Sequence, residues 1–369
     1  MSKRLLPGRL ATVAVTVLSL ALAPSVGCGR QPPTGQGLAA ALGAPQAGGA
    51  GSGADKSTNR AQAVLAAPTA LFEILPPDAA PGARPSRLFG SILFGSRPFN
   101  LSGPVLAALK EAQTVVTEAP ADPPGGEGGQ GVELPDLKRI INLDDPDTLR
   151  KDLGDETGEL VEKIKSILAQ SDESRLLAQA GMIDRMHAFM VVGGFQPSAP
   201  RGMTEERGSA AVAAKKAAQL GKPAVSLQPG LEAFERNAAL SPKAAQELAR
   251  LIAQDWAQLE AGSKAMAKAY EKGDYAASRK LLDQGIAQMA AAGHEAAKYI
   301  ESNTSRALHR DWADKIEAQA RGQSIFAIVD QSHLTGENGL IALLLADGWT
   351  VRPVLGERDA QGGGKSKKH

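Results

Sequence analysis

Residues 86–120 read SRLFGSILFGSRPFNLSGPVLAALKEAQTVVTEAP, and this order of apolar, glycine and β-branched positions predicts a strand, a turn, a helix and a second strand. The triplet Ser102-Gly103-Pro104 places a cap-type residue and a proline ahead of the apolar helix, as a helix start requires. The β-branched run 114–117 favours a strand that leads to Glu118 and that Ala119-Pro120 ends. The segment is therefore predicted to be a βαβ unit.

A second segment with the same pattern lies near the other end of the chain. Residues 323–354 read QSIFAIVDQSHLTGENGLIALLLADGWTVRPV and predict a strand over Ile325–Val329, a helix over Leu340–Ala346 and a strand over Trp349–Val354. Neither unit can bury its apolar face alone, so we expect the two to share one sheet. The sequence thus predicts an α/β (α+β) fold, with a central mixed sheet built from two βαβ-like halves, flanking helices and a helical layer or lobe between the halves.

Helices are predicted for most of the sequence between the two units. Ser241-Pro242 opens a long helix, and Tyr270–Tyr275 is typical of a turn that joins antiparallel helices. We predict a helical lobe over residues 231–319. Shorter elements are predicted upstream: a helix that Asp144 or Asp145 opens and that reaches Leu168, a helix over Arg175–Val192, a helical segment over Glu205–Leu220 and a strand over Ala224–Leu227.

The N-terminus has the features of an export signal. Lys3, Arg4 and Arg9 form a basic region ahead of the apolar run Leu10–Ala23, which is too short to span a bilayer. Residues 1–27 are therefore predicted to be a signal peptide.

The residues around Cys28 resemble a bacterial lipobox, in which a small residue precedes a cysteine that is lipidated and becomes the mature N-terminus. Cys28 is the one cysteine of the chain, so it cannot form an internal disulfide. We predict that Cys28 is lipidated and holds the protein on a membrane of the cell envelope, facing the periplasm or the exterior. Gly29 is compatible with outer-membrane sorting. The alternative is that a general signal peptidase cuts nearby and the thiol is incidental.

Composition divides the rest of the chain. Residues 28–65 are rich in Gly, Ala, Pro and Gln and are predicted to be a disordered linker after the lipidated cysteine. The folded domain is predicted over residues 66–356, and residues 357–369 are predicted to be a disordered basic tail. The whole chain has 41 basic and 40 acidic residues, and this balance gives no electrostatic footprint for nucleic acid.

Several segments occur in an order and spacing that together point to one family. They are Leu88–Leu93 with Phe99, Val115–Glu118, Gly221–Val225, Tyr270–Tyr275, Ser332–Leu340 with Leu343 and Leu344, and Gly348–Val351. In these segments the chain resembles the TraB/GumN family, which includes the Tiki metalloproteases. The resemblance extends from about residue 87 to residue 355 and covers nearly the whole predicted domain.

The resemblance implies a Gly-x-x-His motif after the first strand of each half, with the two histidines and nearby carboxylates forming a proposed metal and catalytic centre. Imidazoles and carboxylates can hold a divalent ion that lowers the pKa of bound water. In this chain the first motif is Gly90-Ser91-Ile92-Leu93, and leucine cannot ligate a metal. The second motif keeps His333 but has Asp330 at its glycine position.

Other polar positions that the family implies are also changed. An expected aspartate falls at Ala210, an expected glutamate at Gln228, and an expected Glu-Arg-Asn triplet at Ala307-Leu308-His309. Glu118 and His333 remain. Removing one member of a buried charged cluster leaves its partners unpaired at a cost of about 3–5 kcal/mol, whereas neutralising several together leaves a pocket that can still fold.

We therefore predict a TraB/GumN-like envelope lipoprotein that is catalytically degenerate, a pseudoenzyme that needs no cofactor and acts as a binding or interaction module. Its expected partners are a membrane, through Cys28, and a peptide or an envelope protein.

The alternative is a metal-dependent peptidase or hydrolase in which Glu118 and His333 are catalytic. His309 could approach His333, so that His333, Glu118 and His309 would hold a divalent transition metal. A third interpretation is an envelope spacer without a site.

Other sites find little support in the sequence. The glycine-rich run 125–131 lacks the setting and the Lys-Ser or Lys-Thr ending of a phosphate-binding loop. No nucleophile elbow marks a Ser-His-Asp set. His187 lies in a predicted apolar helix and is interpreted as a core or capping histidine.

Overall fold

The computed structural model of this chain describes residues 53–118, 142, 144–170, 181–194, 200–228, 236, 238–303 and 305–355. Within them, six strands form one mixed sheet with helices on both faces, which confirms the predicted α/β fold. The strands are β1 (Leu71–Leu75), β2 (Ser86–Ser91), β3 (Thr114–Thr117), β4 (Ala224–Ser226), β5 (Ile325–Asp330) and β6 (Thr350–Pro353). The helices are α1 (Gly53–Leu65), α2 (Gly103–Glu111), α3 (Thr148–Leu153), α4 (Glu159–Leu168), α5 (Ala188–Gly194), α6 (Ser209–Gln219), α7 (Pro242–Glu271), α8 (Tyr275–Ala290), α9 (His294–Asn303), α10 (Arg306–Gly322) and α11 (Leu340–Ala346).

The two predicted βαβ units interleave in the sheet, whose strand order is β4-β3-β5-β2-β1-β6. Strand β5 of the second unit lies between β2 and β3 of the first and pairs with both in parallel. Strand β4 extends the parallel part beyond β3. Strand β1 is antiparallel to its neighbours β2 and β6, so the sheet is mixed, as predicted.

The two crossover helices lie on opposite faces of the sheet. Helix α2 leads from β2 across β5 to β3, whereas α11 leads from β5 across β2 and β1 to β6, in the opposite direction. Because such crossovers are right-handed, connections in opposite directions cover opposite faces. The packing agrees: Val105 and Leu109 of α2 belong to one apolar cluster, and Leu340 and Leu344 of α11 belong to another. We call these clusters the first and the second core.

Alternating strand residues supply both cores. Phe89 and Phe326 of β2 and β5 face the first core with ring centroids 5.8 Å apart, while their chain neighbours Leu88 and Ala327 face the second. All four side chains are fully buried. This two-sided burial explains why these strands read as nearly continuous apolar runs.

The helix predicted from residue 144 to Leu168 is two helices, so the prediction of one element is wrong. Gly154 ends α3 in the left-handed conformation, with φ of 59°, and α4 begins at Glu159. Glycine adopts this conformation without the steric cost that a side chain would impose. The apolar spacing of Leu160–Leu168 is nevertheless helical, as predicted.

The helix predicted over Arg175–Val192 is also wrong in its central part; residues 171–180 lie outside the described residues. A 3-10 turn over Ile183–Arg185 is followed by extended backbone at Met186, and α5 begins only at Ala188. The carboxylate of Asp152 fixes this start, because its Oδ2 accepts hydrogen bonds from the backbone N–H of Ala188 and from His187 Nδ1, each at 3.0 Å.

The predicted linker 28–65 is wrong over its last part, because α1 occupies residues 53–65. Ala61 is 2% exposed in the second core, and Arg279 donates hydrogen bonds to the carbonyl oxygens of Leu65, Ala67 and Thr69. A buried guanidinium therefore holds the chain that follows α1. Composition alone missed this helix because it is polar and rich in small residues. Cys28 lies outside the described residues.

The predicted start of the long helix is confirmed. Ser241 Oγ accepts a hydrogen bond from the N–H of Ala244, and α7 begins at Pro242. Trp312 and Ile316 of α10 pack in the second core, so α10 covers a face of the sheet. No helix among the described residues is both long and apolar enough to cross a membrane.

A close backbone approach fixes the loop that follows β2. A Cβ atom built on Gly208 would lie 1.8 Å from the carbonyl oxygen of Leu93, far inside van der Waals contact. The N–H of Ala210 and the Oγ of Ser209 also bond to the backbone of Ile92. The start of α6 thus holds the chain at residues 92 and 93.

We expect Gly208→Ala to lower the free energy of unfolding by at least about 2 kcal/mol, because the new methyl group meets backbone that cannot move aside cheaply. Gly103→Ala is the matched control, since a Cβ there meets nothing within 4 Å. Urea denaturation of both variants measures the difference. A Gly208→Ala protein as stable as the control would contradict the close approach.

Candidate functional site

The candidate site lies at the carboxyl edge of the parallel strands. Glu118 directly follows β3, the turn 331–333 follows β5, and Leu93 lies two residues beyond β2. Ser91 pairs with Asp330, so the two motif segments leave neighbouring strands side by side. The crossover from β2 leads towards β3 and the crossover from β5 leads towards β6, so the two pass each other on opposite faces of the sheet. In open α/β sheets ligands bind outside the carboxyl ends of the strands.

Two histidines form a hydrogen-bonded pair at this edge. His309 Nδ1 lies 2.8 Å from the carbonyl oxygen of Asn338, and because a carbonyl only accepts, Nδ1 carries the proton. The other nitrogen of neutral His309, Nε2, then accepts a hydrogen bond from His333 Nδ1 at 2.8 Å. These two bonds leave Nε2 of His333 without a proton.

The surroundings of the pair favour the uncharged imidazoles. His309 is 1% and His333 5% exposed, and the ring of Trp312 lies 4.6 Å from that of His333. Burial lowers the pKa of His309. Burial, followed by the neighbouring His309 and the charge of Arg236, moves the pKa of His333 well below its ordinary value. Both histidines are therefore neutral near pH 7.

Glu118 faces the free nitrogen of this pair. Its Oε1 lies 3.9 Å from His333 Nε2 and accepts a hydrogen bond from the N–H of Asp330. Its backbone carbonyl accepts hydrogen bonds from the N–H of Gln228 and the Oγ of Ser226, each at 3.0 Å. Glu118 is thus held by strands on both sides of β3.

The environment of Glu118 also favours its neutral form. Burial, followed by the nearby negative charge of Asp330, raises the pKa of Glu118 to about 8, although the N–H of Asp330 and the charge of Arg236 act in the opposite direction. About a quarter of the side chain remains exposed. Near pH 7 the carboxyl group is therefore mainly protonated and can act as a hydrogen-bond donor at the mouth of the site.

Asp330 serves the backbone of the turn. Its Oδ1 accepts a hydrogen bond from the N–H of Ser332 at 2.8 Å, as a helix cap does. It is 6% exposed.

The family motif implies the second imidazole at the position of Leu93. Leu93 is half-buried and packs against the first core. A relay of hydrogen bonds holds this loop: the N–H of Ile92 donates to Ser209 Oγ, which donates to Tyr270 Oη, which donates to the carbonyl oxygen of Gly90.

The donors that are present do not fit a metal centre. In the part of the chain that the structure describes, no three His, Cys, Asp or Glu side chains are arranged to hold a metal ion. His309 uses both of its nitrogens for other bonds, which leaves His333 Nε2 and Glu118 as potential ligands. Protein zinc sites use at least three such ligands.

In a comparison with models of protein families, the model described as "TraB/PrgY/gumN family" matches residues 79–353 of the chain. The chain belongs to this family. Neither the curated proteins nor the solved structures give a match. The resemblance expected from the sequence is thereby confirmed for most of the chain.

Within this TraB/PrgY/gumN chain, the structure brings three of the predicted site residues together. Glu118, His333 and His309 form one continuous row, as the 2.8 Å and 3.9 Å contacts show. Their roles in catalysis or metal binding stay predictions. His187 lies elsewhere, just before α5 rather than inside a helix.

We call the site formed by Glu118, His309 and His333 the family site. Two groups at this site were missed by sequence reasoning. The carbonyl of Asn338 sets the protonation of both histidines, and no sequence pattern marks a backbone carbonyl for such a role. The charge of Arg236 acts on Glu118, His309 and His333, but this residue is distant from all three in the sequence. Only the folded chain reveals the roles of the Asn338 carbonyl and of the Arg236 charge.

The raised pKa of Glu118 makes stability depend on pH. From its ordinary value of 4.5 up to about 8, the folded state keeps a proton that the unfolded state has released, so stability falls as pH rises. The pKa values of His309 and His333 are lowered in the folded state from their ordinary value of 6.5. The two histidines therefore make stability rise with pH, mainly below pH 6.5. Between pH 6.5 and pH 8 the contribution of the histidines fades, and comparison with a Glu118 variant in this window removes what is left of it.

In that window we expect wild-type protein to lose stability relative to Glu118→Gln, by at most about 2 kcal/mol. The amide keeps an acceptor for the N–H of Asp330 but cannot ionise. Urea denaturation at a series of pH values measures the difference, with the exposed Glu301→Gln as the control. A wild-type and Glu118→Gln difference that stays constant across the window would contradict the buried, protonated carboxyl group.

Proposed function

We propose that this TraB/PrgY/gumN-family chain is an envelope lipoprotein whose family site has lost metal-dependent chemistry and serves in binding or interaction. The site supports a partner that presents hydrogen-bonding groups to the mouth at Glu118, such as a peptide or an envelope protein. A lipid on Cys28 would hold the domain at the membrane surface.

One observation carries this proposal: the two histidines at the sheet edge bond to each other and to a backbone carbonyl rather than to a common ion. The carbonyl of Asn338, His309 and His333 are linked by two hydrogen bonds. Asp330 bonds to its own turn, and Leu93 contributes no donor.

The replacements of the polar residues that the family motif implies are consistent as a set. A single missing ligand would leave buried charges without partners, at a cost of about 3–5 kcal/mol. Here the remaining imidazoles are neutral and the remaining glutamate is mainly protonated near pH 7, while the buried Asp330 accepts a hydrogen bond from the N–H of Ser332. Such a site can be retained for its shape and its hydrogen bonds.

A metal-dependent peptidase or hydrolase is the second candidate. The observation in its favour is that Glu118 Oε1 and His333 Nε2 lie 3.9 Å apart at the carboxyl edge. The missing third ligand counts against it, and metal content separates the two candidates.

Protein purified without chelators is expected to contain only substoichiometric zinc, manganese or cobalt by elemental mass spectrometry. Leu93→His, which restores the imidazole that the family motif implies, is expected to raise metal content towards one equivalent, because it supplies a third potential ligand. The double variant Leu93→His with His333→Gln is expected to lose that gain.

His294→Gln is the matched control for these measurements, because the side chain of His294 is 76% exposed. Stoichiometric metal in wild-type protein that is lost in His333→Gln but kept in His294→Gln would overturn the degenerate site and favour the peptidase.

Lipidation is tested at Cys28. We expect the wild-type protein to incorporate a labelled fatty acid in a bacterial host and to sediment with membranes, whereas Cys28→Ser does neither, since this is the one cysteine of the chain. Wild-type protein that takes up no label, or Cys28→Ser protein that remains with the membranes, would contradict a lipid anchor.

A further inference from the structure

A second polar site lies apart from the family site, in a cavity of about 410 Å³ between α3, α5 and the start of α7. Six of its lining residues are apolar: Ala188, Phe189, Ala238, Leu240, Pro242 and Ala245. The two polar ones are Asp152 and His187. An apolar cavity of this size with a few convergent polar groups is typical of a small-molecule site.

Asp152 orients the imidazole of His187. Its Oδ2 lies 3.0 Å from His187 Nδ1 and accepts a second hydrogen bond, also of 3.0 Å, from the N–H of Ala188. Because a carboxylate accepts, Nδ1 carries a proton, and when the ring carries this proton alone Nε2 is left as an acceptor. The ring is also stacked near Phe189, with centroids 6.2 Å apart.

The remaining nitrogen of His187 is available to a ligand. Within the described part of the chain, Nε2 of His187 has no close hydrogen-bond partner, and 30% of the side chain is exposed. The adjacent carboxylate of Asp152 makes the cavity unfavourable for an anion. The site is therefore matched to an apolar body that carries one hydrogen-bond donor.

The cavity lies at the start of α7, whereas Tyr270, which helps to hold the loop of Leu93, lies at the other end of this 30-residue helix. Leu149 and Leu153 of α3 and Ala244 and Ala245 of α7 pack in the first core, whereas Trp312, beside His333, belongs to the second. A ligand here would be bound independently of the row from Glu118 to His309.

We propose that this cavity is a binding site for a compact apolar molecule bearing a single hydroxyl or amine, whose hydrogen His187 Nε2 accepts while Phe189 and Leu240 contact its apolar part. His187 is thus assigned a role in recognition that the capping interpretation from the sequence does not include.

The test uses three ring compounds of similar size with the purified protein. The probes are p-cresol, toluene and p-toluate, which carry a hydroxyl group, no polar group and a carboxylate respectively. Binding is followed by the imidazole Cε1–H signals in NMR spectra; the chain has five histidines, so the shifted one can be assigned with His187→Phe. We expect p-cresol to move the His187 signal and to bind about tenfold more tightly than toluene, with p-toluate weakest.

Two variants and a control variant complete the test. His187→Phe keeps the ring but removes the acceptor, so p-cresol is expected to bind no better than toluene. Ala238→Phe, at the partly exposed rim, fills the cavity and is expected to weaken both probes, while the exposed His294→Phe leaves binding unchanged.

Either of two results would overturn the proposal. The first is that p-cresol causes no shift of the His187 signal up to about 10 mM, the weakest affinity expected for a ligand of this size. The second is that p-cresol and toluene bind wild-type protein with equal affinity. Because the wild-type comparison needs no variant, a poorly folded His187→Phe leaves the test decisive. Metal content at the family site does not enter either outcome.

Discussion

The parallel pairing of β2 with β5 is the constraint on which the site depends. Ser91 lies opposite Asp330, so the segments that follow the two strands leave the sheet together. Strand β3 lies on the other side of β5 and brings Glu118 to the same edge. Interleaved βαβ units of this kind place side chains from distant parts of the sequence within a few ångströms. Any change of register would separate them, because a slip of one residue turns side chains to the other face.

The second consequence of this arrangement is electrostatic. A buried cluster of ionised groups needs an ion or a full set of partners, since each unpaired buried charge is costly. In this chain the carbonyl of Asn338 sets the tautomer of His309, and His309 in turn sets that of His333. The result is a row of neutral groups that ends at the partly exposed Glu118. Neutral groups of this kind need no ion to balance them.

The sequence predicted the parts of the fold that local patterns determine. The apolar runs of β2 and β5 and the Ser241 cap carry strong local signals, and the structure has these elements where they were expected. Local patterns could not reveal α1, whose small polar residues become ordered through Arg279, or the break at Gly154.

The site was predictable only where a family motif guided the reading. That motif located Glu118 and His333, and the substitution at His309 suggested an approach that the 2.8 Å contact bears out. The protonation of the pair and the neighbourhood of Arg236 required the folded chain, because they depend on contacts between distant segments. The pairing of Asp152 with His187 was likewise invisible, since the two lie on different helical segments.

The proposed degenerate site depends on the neutral hydrogen-bond chain of the Asn338 carbonyl, His309 and His333, and nitrogen-15 NMR of the imidazoles tests this chain most directly. At pH 7 we predict that His309 and His333 both carry their proton on Nδ1, with Nε2 unprotonated in each and no change on addition of a chelator. Charged imidazolium rings, a proton on Nε2 of His309, or an Nε2 signal of His333 that shifts when a chelator is added would contradict it.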